Sequence, residues 1–255
     1  MIVRRSGVEL EKLRRSGLLV YRILQDLKNM VSEGVTTQEL EAAAEKMIAD
    51  AGAKPAFKGY YTQAAGSKYP FVLCASVNEE VVHGMPSAKR KLRPGDIVSL
   101  DTGVLLDGYY GDSALTVAVG QVNDSVKRLL KVTEESLEMA IDRVRSGNRL
   151  FDICGTVEKH VVSNGFSVVR EFVGHGIGTS LHEEPQIPNY VDRRGENPRL
   201  KPGMVLAIEP MVNIGSGDVR VLKDGWTAVT VDGKWSAHFE HTVAVTASGP
   251  VVLTR

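Results

Sequence analysis

Five side chains in this sequence have the types and settings that divalent-metal chemistry needs. Asp101, Asp112, Glu209 and Glu240 stand at the ends of otherwise apolar segments, and His175 sits inside Gly174-His175-Gly176-Ile177-Gly178. A partly buried carboxylate without a partner is costly, and several together repel one another. Two divalent cations would balance four carboxylates and leave room for a hydroxide. Carboxylates with one imidazole suit Co, Mn, Fe or Zn, whereas a structural zinc site would be rich in cysteine. Such a pair of ions lowers the pKa of a water held between them, which is the basis of metal-assisted hydrolysis. Any single acid is as easily read as a surface or salt-bridged residue, but that reading fits all of them together poorly. The glycine-rich loop has no lysine followed by Ser or Thr and matches neither common nucleotide fingerprint. Its glycines are expected to let the backbone come close to a ligand.

Local patterning says how the carboxylates are positioned. Asp107-Gly108 is a two-residue hairpin signal. With that turn, Leu106 pairs with Tyr109, Asp101 lies opposite Ala114, and Asp112 is its diagonal neighbour, roughly 7–8 Å away between backbones. Ser99, Asp101, Asp112, Ala114 and Thr116 then share one small or polar face. Val98, Leu100, Leu115, Val117 and Val119 take the other, which suits packing under helices. Upstream, Leu13, Val20, Ile23, Leu24, Leu27 and Val31 form a helical stripe that Gly34 ends. Thr36-Thr37-Gln38-Glu39 reads as a capping box, with Val35 and Leu40 as its hydrophobic staple, opening a helix that runs to Gly52. Further helices are expected from Asn123 (Val126, Leu130, Leu137, Ile141) and after Asn148 (Leu150, Ile153, Val157, Val161), the latter ending at Gly165. The last third reads as strands and turns.

The sequence also repeats itself. Leu92-Arg93-Pro94-Gly95 leads into a strand ending at Asp101, and Leu200-Lys201-Pro202-Gly203 leads into one ending at Glu209. In both, the acid lies seven residues past the proline. A second acid and the tetrapeptide Thr-Val-Ala-Val follow each, as Asp112 then Thr116–Val119, and Glu240 then Thr242–Val245. Two related halves, each supplying a pair of carboxylates, account for this. Glu240, Thr242 and Ala244 fall on one face of the last strand, and His241 falls on its helix-packing side.

Composition removes other classes. The 31 basic and 31 acidic residues cancel, so no global field points to nucleic acid or an anionic membrane. The N-terminus lacks an apolar stretch after its arginines, and no run approaches a membrane span. Cys74 and Cys154 make no disulfide framework, which suits a cytoplasmic protein with free thiols. With no linker or low-complexity stretch, residues 1–255 are expected to form a single catalytic domain.

At this point the motifs resemble those of the bacterial type I methionine aminopeptidases over essentially the whole length. The resemblance is carried by Val82-His83-Gly84-Met85-Pro86, Leu100-Asp101, Gly111-Asp112-Ser113, the His175 loop, His182-Glu183-Glu184-Pro185-Gln186, Ile208-Glu209-Pro210-Met211 and Phe239-Glu240-His241-Thr242. It implies the pita-bread fold, an α/β (α+β) structure with two pseudo-symmetric halves. It further implies that Asp101 binds one metal, that His175 and Glu209 bind the other, and that Asp112 and Glu240 bridge the two. Glu209 is the expected general base. His83 and His182 are expected to touch substrate and assist catalysis. Tyr60, Cys74, Leu181 and Trp226 would line the methionine pocket, with Phe57 and Tyr69 as less direct candidates. The reaction implied is removal of the initiator methionine from nascent proteins and peptides, with a small second residue favoured. The family also implies action on nascent chains, close to the ribosome, by a monomer.

Several positions depart from that pattern or take no ligand role in it. Tyr61–Lys68 is longer than the usual bacterial loop, and His238 stands where the family commonly has glutamine. Glu183 and Glu184, beside a loop proline, read as solvated rather than as ligands, and His160 reads as structural. Two rivals remain. A proline-specific aminopeptidase or dipeptidase of the same fold usually carries a separate N-terminal domain, whereas here the catalytic fold starts almost at once. A non-catalytic relative would tend to lose ligands, yet all five are present.

Overall fold

A computed structural model describes all 255 residues. Helix α1 (Gly7–Met30) opens with Ser6 as cap, its side chain accepting from the Glu9 amide while Glu9 reaches back to the Ser6 backbone. Helix α2 (Thr37–Asp50) opens with the Thr36–Glu39 box read from the sequence. These reciprocal caps satisfy amides that the first helical turn leaves without partners. Helix α1 ends at Met30, earlier than the Gly34 stop; Gly34 instead turns the chain toward α2 with φ of 86°.

The first sheet is built on strand β2 (Ile97–Leu106), which pairs with β1 (Leu73–Val77) and β3 (Tyr109–Ala118). One edge of β2 pairs with β1 and with the short segment Lys54–Pro55, and the other pairs with β3 along its full length. Asp107 and Gly108 form the turn, both at positive φ. Asp101 faces Ala114 and Asp112 faces Gly103, the register expected from the hairpin signal. The apolar face, with Val98, Leu100 and Val119, packs with Val20, Ile23, Leu24 and Leu27 of α1 and with Leu40 and Ala44 of α2.

Helices α3 (Asp124–Ile141) and α4 (Leu150–Ser163) serve the second half in the same way. They cover a sheet ordered β5-β4-β6-β7-β8, where β4 is Gly174–Gly176, β5 Glu183–Ile187, β6 Val205–Ile208, β7 His241–Thr246 and β8 Gly249–Val252. Leu137, Ile153 and Val157 of these helices share a core with Leu206, Val243 and Val245. Each fully buried side chain of this kind contributes roughly 1.5–3 kcal/mol relative to exposure. The Leu-x-Pro-Gly repeat has matching geometry in the two halves. Leu92 and Leu200 are both buried, and Gly95 and Gly203 take φ of 96° and 94°, a turn conformation that other residues adopt only with strain.

The halves meet along a seam of hydrogen bonds. The Glu240 amide donates to the Ala114 carbonyl (2.8 Å), and Ser113 Oγ donates to the Glu240 carbonyl (2.6 Å). Thr242 Oγ1 donates to the Asp112 carbonyl (2.8 Å). No helix is long and apolar enough to cross a membrane.

Candidate active site

The polar faces of the two sheets converge on one pocket of about 180 Å³. Asp101 comes from β2 and Asp112 from β3, while Glu209 follows β6 and Glu240 precedes β7. His175 is the middle residue of β4, opposite Ala207 of β6 and Gln186 of β5. All five residues line the pocket.

His175 lies on a short strand paired on both sides, between β5 and β6, because its two glycines admit close neighbours. A Cβ on Gly174 would collide with the Ala207 carbonyl, and one on Gly176 with the Glu184 carbonyl. The glycines therefore serve strand packing, not approach of the backbone to a ligand as the sequence suggested. His175 Nδ1 donates to the Gly176 carbonyl (2.9 Å), because a carbonyl can only accept. That leaves the lone pair on Nε2, which lies 3.7 Å from Glu209 Oε1 and 3.9 Å from Asp112 Oδ2.

A lone pair aimed at carboxylate oxygens needs a cation between them. Asp112, His175 and Glu240 each offer a ligand atom, all within 4.8 Å of one another. Asp101 Oδ1, Asp112 Oδ1 and Glu240 Oε1 are buried without any hydrogen-bond partner, an arrangement that is expensive unless something supplies positive charge. Burial pushes the Asp112 carboxyl up to about 7. Asp101, Glu209 and Glu240 are also pushed well up, first by burial and then by the neighbouring carboxylates. The donor set fits hard or borderline divalent ions.

The other wall is aromatic and apolar. Tyr60, Cys74, Leu181 and Trp226 line it, and so do Phe57 and Tyr69. Val82 and Thr62 line it too, and so do Phe172 and Val173, which nothing in the sequence had marked. Phe172 packs edge-to-face on His83 at 5.3 Å, a contact between distant segments that leaves no local signal. The Tyr61–Lys68 segment forms a small hairpin, Tyr61–Thr62 against Ser67–Lys68, tied down by Trp226 Nε1 donating to Ser67 Oγ (2.9 Å).

Two further histidines frame the opening. His83 is held in the left-handed region (φ 60°), a strain of about 1–3 kcal/mol of the kind that collects at functional sites. Burial, then the neighbouring His182, lowers its pKa to about 4. His182 packs 4.3 Å from the His175 ring, and its Nδ1 lies 2.6 Å from the Tyr60 hydroxyl. With the phenol donating, His182 keeps its proton on Nε2. Burial lowers its pKa as well, so both rings are neutral near pH 7 and able to donate one proton.

Glu184 is exposed, as read. Glu183 is not solvated: its side chain is 14% exposed and is gripped by Arg5. The sequence offered no hint of this because the partner lies in the N-terminal segment. His160 Nε2 lies 3.2 Å from Glu135 Oε2, joining α4 to α3, and His241 Nδ1 lies 2.9 Å from Thr254 Oγ1, away from the carboxylates. Cys74 and Cys154 are both free and buried.

A model of metallopeptidase family M24 matches residues 11–247. Methionine aminopeptidase 1 of Bacillus subtilis (strain 168) is 49% identical over 255 residues, covering all of both chains. The chain belongs to metallopeptidase family M24, among the methionine aminopeptidases. The crystal structure of the methionine aminopeptidase from Thermotoga maritima agrees with it at a TM-score of 0.95 and 44% identity, again with both chains fully covered. The M24 fold here is the pita-bread fold, with its helix pairs outside and its carboxylates inside. The prolidase from Pyrococcus horikoshii OT3 shares that fold at a TM-score of 0.79 and 21% identity, over 64% of its own chain. That likeness extends to architecture alone. Membership in a metallopeptidase family carries divalent-metal dependence, in line with the orphaned carboxylate oxygens of this M24 site.

Proposed function

We propose that this chain removes N-terminal methionine by hydrolysing the first peptide bond, with two divalent ions and a preference for a small second residue. The observation that carries this reading is the meeting of five donor side chains with one aromatic pocket in a single cavity. Asp101 would hold one ion, His175 and Glu209 the other, with Asp112 and Glu240 between them. Such ions, when bound, supply Lewis acidity that eases ionisation of water and polarises the scissile carbonyl.

The chain's own groups do the rest. Tyr60, Cys74, Leu181 and Trp226 take the flexible thioether side chain, which favours apolar walls and aromatic edges. Asp101, on β2, would face the free amine and so confine cleavage to the N-terminus. Glu209 accepts the proton of the attacking water. His182, with its proton on Nε2, donates to the substrate carbonyl as charge develops there, an effect of the kind worth roughly 2.7–4 kcal/mol per donor. His83, neutral and across the pocket, would hold the tetrahedral intermediate or pass a proton to the leaving amine. The packed rings of Tyr60, His182 and His175 crowd the rim, which supports the preference for a small second residue. Because both halves contribute ligands, residues 1–255 act as one catalytic unit.

Metal analysis with hydrolysis of Met-Ala-Ser against Xaa-Pro peptides tests the reading. Metal-dependent release of methionine is expected. A folded protein that takes up no divalent ion, or that prefers Xaa-Pro, would overturn it.

A further inference from the structure

His238 ends the short strand Ser236–His238, which pairs with Met211–Asn213. It is 1% exposed. Its backbone is fixed on both sides by Thr116, whose Oγ1 donates to the His238 carbonyl (2.7 Å) and accepts from its amide (2.9 Å). The side chain has no comparable tie. His238 Nε2 is buried without a hydrogen-bond partner and lies 3.6 Å from Glu209 Oε2.

The Glu209 carboxylate is thus divided between two imidazoles. Oε1 is 3.7 Å from His175 Nε2, and Oε2 is 3.6 Å from His238 Nε2. The two ring nitrogens differ in kind. His175 Nε2 carries a lone pair, because its Nδ1–H is committed to the Gly176 carbonyl. His238 has no such commitment to a carbonyl, so a neutral ring can place its proton on Nε2, toward Oε2. Closing that gap takes a movement of well under 1 Å to reach an ordinary hydrogen bond of about 2.9 Å.

We propose that His238 is a positioning residue for Glu209: its Nε2–H holds Oε2, so that only Oε1 is left to face His175 and an ion. The inference rests on the role given to Glu209 above. Groups that orient metal ligands typically change metal affinity by about 10–100-fold when removed.

The test compares His238→Gln, His238→Leu and His238→Met with the wild-type chain. Mn²⁺ affinity is measured by calorimetry on metal-free protein, kcat and KM on Met-Ala-Ser, and the unfolding midpoint without metal. His238→Leu and His238→Met are expected to weaken Mn²⁺ binding about 10–100-fold and to lower kcat with KM nearly unchanged. His238→Gln is expected to stay close to wild type in both. The methionine variant guards against a leucine variant that fails to fold. Wild-type affinity and kcat in either non-donor variant would overturn the proposal. So would a glutamine variant as impaired as the non-donors, since a donor would then not be what matters. Wild-type turnover is read separately: its absence sinks the functional reading itself, whereas unimpaired non-donor variants sink only the role of His238.

Discussion

Arg5 and Glu183, 178 positions apart, are joined by one guanidinium nitrogen that donates to both carboxylate oxygens, at 2.6 and 2.7 Å. Arg5 is 6% exposed, and Glu183 also accepts from the amides of Thr179 and Ser180. The Arg5 amide is pinned to the Gly203 carbonyl (2.7 Å). The extended residues before α1 therefore brace Glu183, the residue directly after His182, which lines the same pocket as the carboxylates. Removing Arg5 leaves the partly buried Glu183 carboxylate with the two backbone amides and no guanidinium. Arg5→Ala should cost about 1.5–3 kcal/mol in urea unfolding and lower kcat/KM on Met-Ala-Ser. Unchanged stability and activity would remove the bracing role.

Gly174→Ala is expected to displace His175. The added methyl would meet the Ala207 carbonyl, part of a strand that cannot yield cheaply. A drop in metal affinity of at least tenfold should result while far-ultraviolet circular dichroism is retained. Metal binding equal to wild type would mean that β4 has slack the structure does not suggest.

Metal uptake should release protons. Asp112 titrates near 7 through burial, and Asp101, Glu209 and Glu240 are also raised. In the metal-free protein the folded state then keeps protons that the unfolded chain gives up, so these acids destabilise the fold as pH rises from about 4 toward 7. The histidines act oppositely. His83, at about 4, and His175 and His238, at about 3, are lowered by burial, so their effect stabilises as pH rises and is complete by about 6.5. Metal-free stability should therefore decline from pH 6.5 upward. Calorimetry of Mn²⁺ binding at pH 6.5 in buffers of different ionisation enthalpy should report net proton release. Heats that are independent of buffer would contradict this.

Trp226→Phe keeps most of the pocket wall but deletes the bond to Ser67. A loss of about 0.5–1.5 kcal/mol is expected for such a hydrogen bond. Faster amide exchange should be confined to residues 61–68, with KM rising more than kcat falls. Exchange unchanged at those amides would show that the hairpin is held by other contacts.

Local rules made some of this legible in the sequence. The Asp107-Gly108 turn and the alternation around it gave the register of Asp101 against Ala114, because a one-residue slip would put every apolar side chain on the wrong face. The Thr36–Glu39 box and the Asn123 cap were equally visible, since caps are encoded within four residues. The repeated Leu-x-Pro-Gly gave both halves of the carboxylate set. Pairings between distant segments were not legible. Arg5 with Glu183, Phe172 with His83 and His238 with Glu209 are each set by how separate elements pack. The purpose of Gly174 and Gly176 was hidden likewise: the pressure on them comes from the carbonyls of Ala207 and Glu184 on the paired strands β6 and β5, a contact that the Gly-His-Gly pattern does not encode.

The hydrogen-bonded seam at Ala114 and Glu240 places the ion-binding side chains on the boundary between two separately cored halves. Asp101 and Asp112 belong to one half, and His175, Glu209 and Glu240 to the other. Neither half holds the full donor set, so an ion bound at this boundary works as a clasp. Its affinity includes whatever free energy holds the halves together, and anything that pries them apart, whether denaturant, pressure or a seam mutation, must also expel metal. Loss of metal and opening of the seam should therefore occur as one cooperative event.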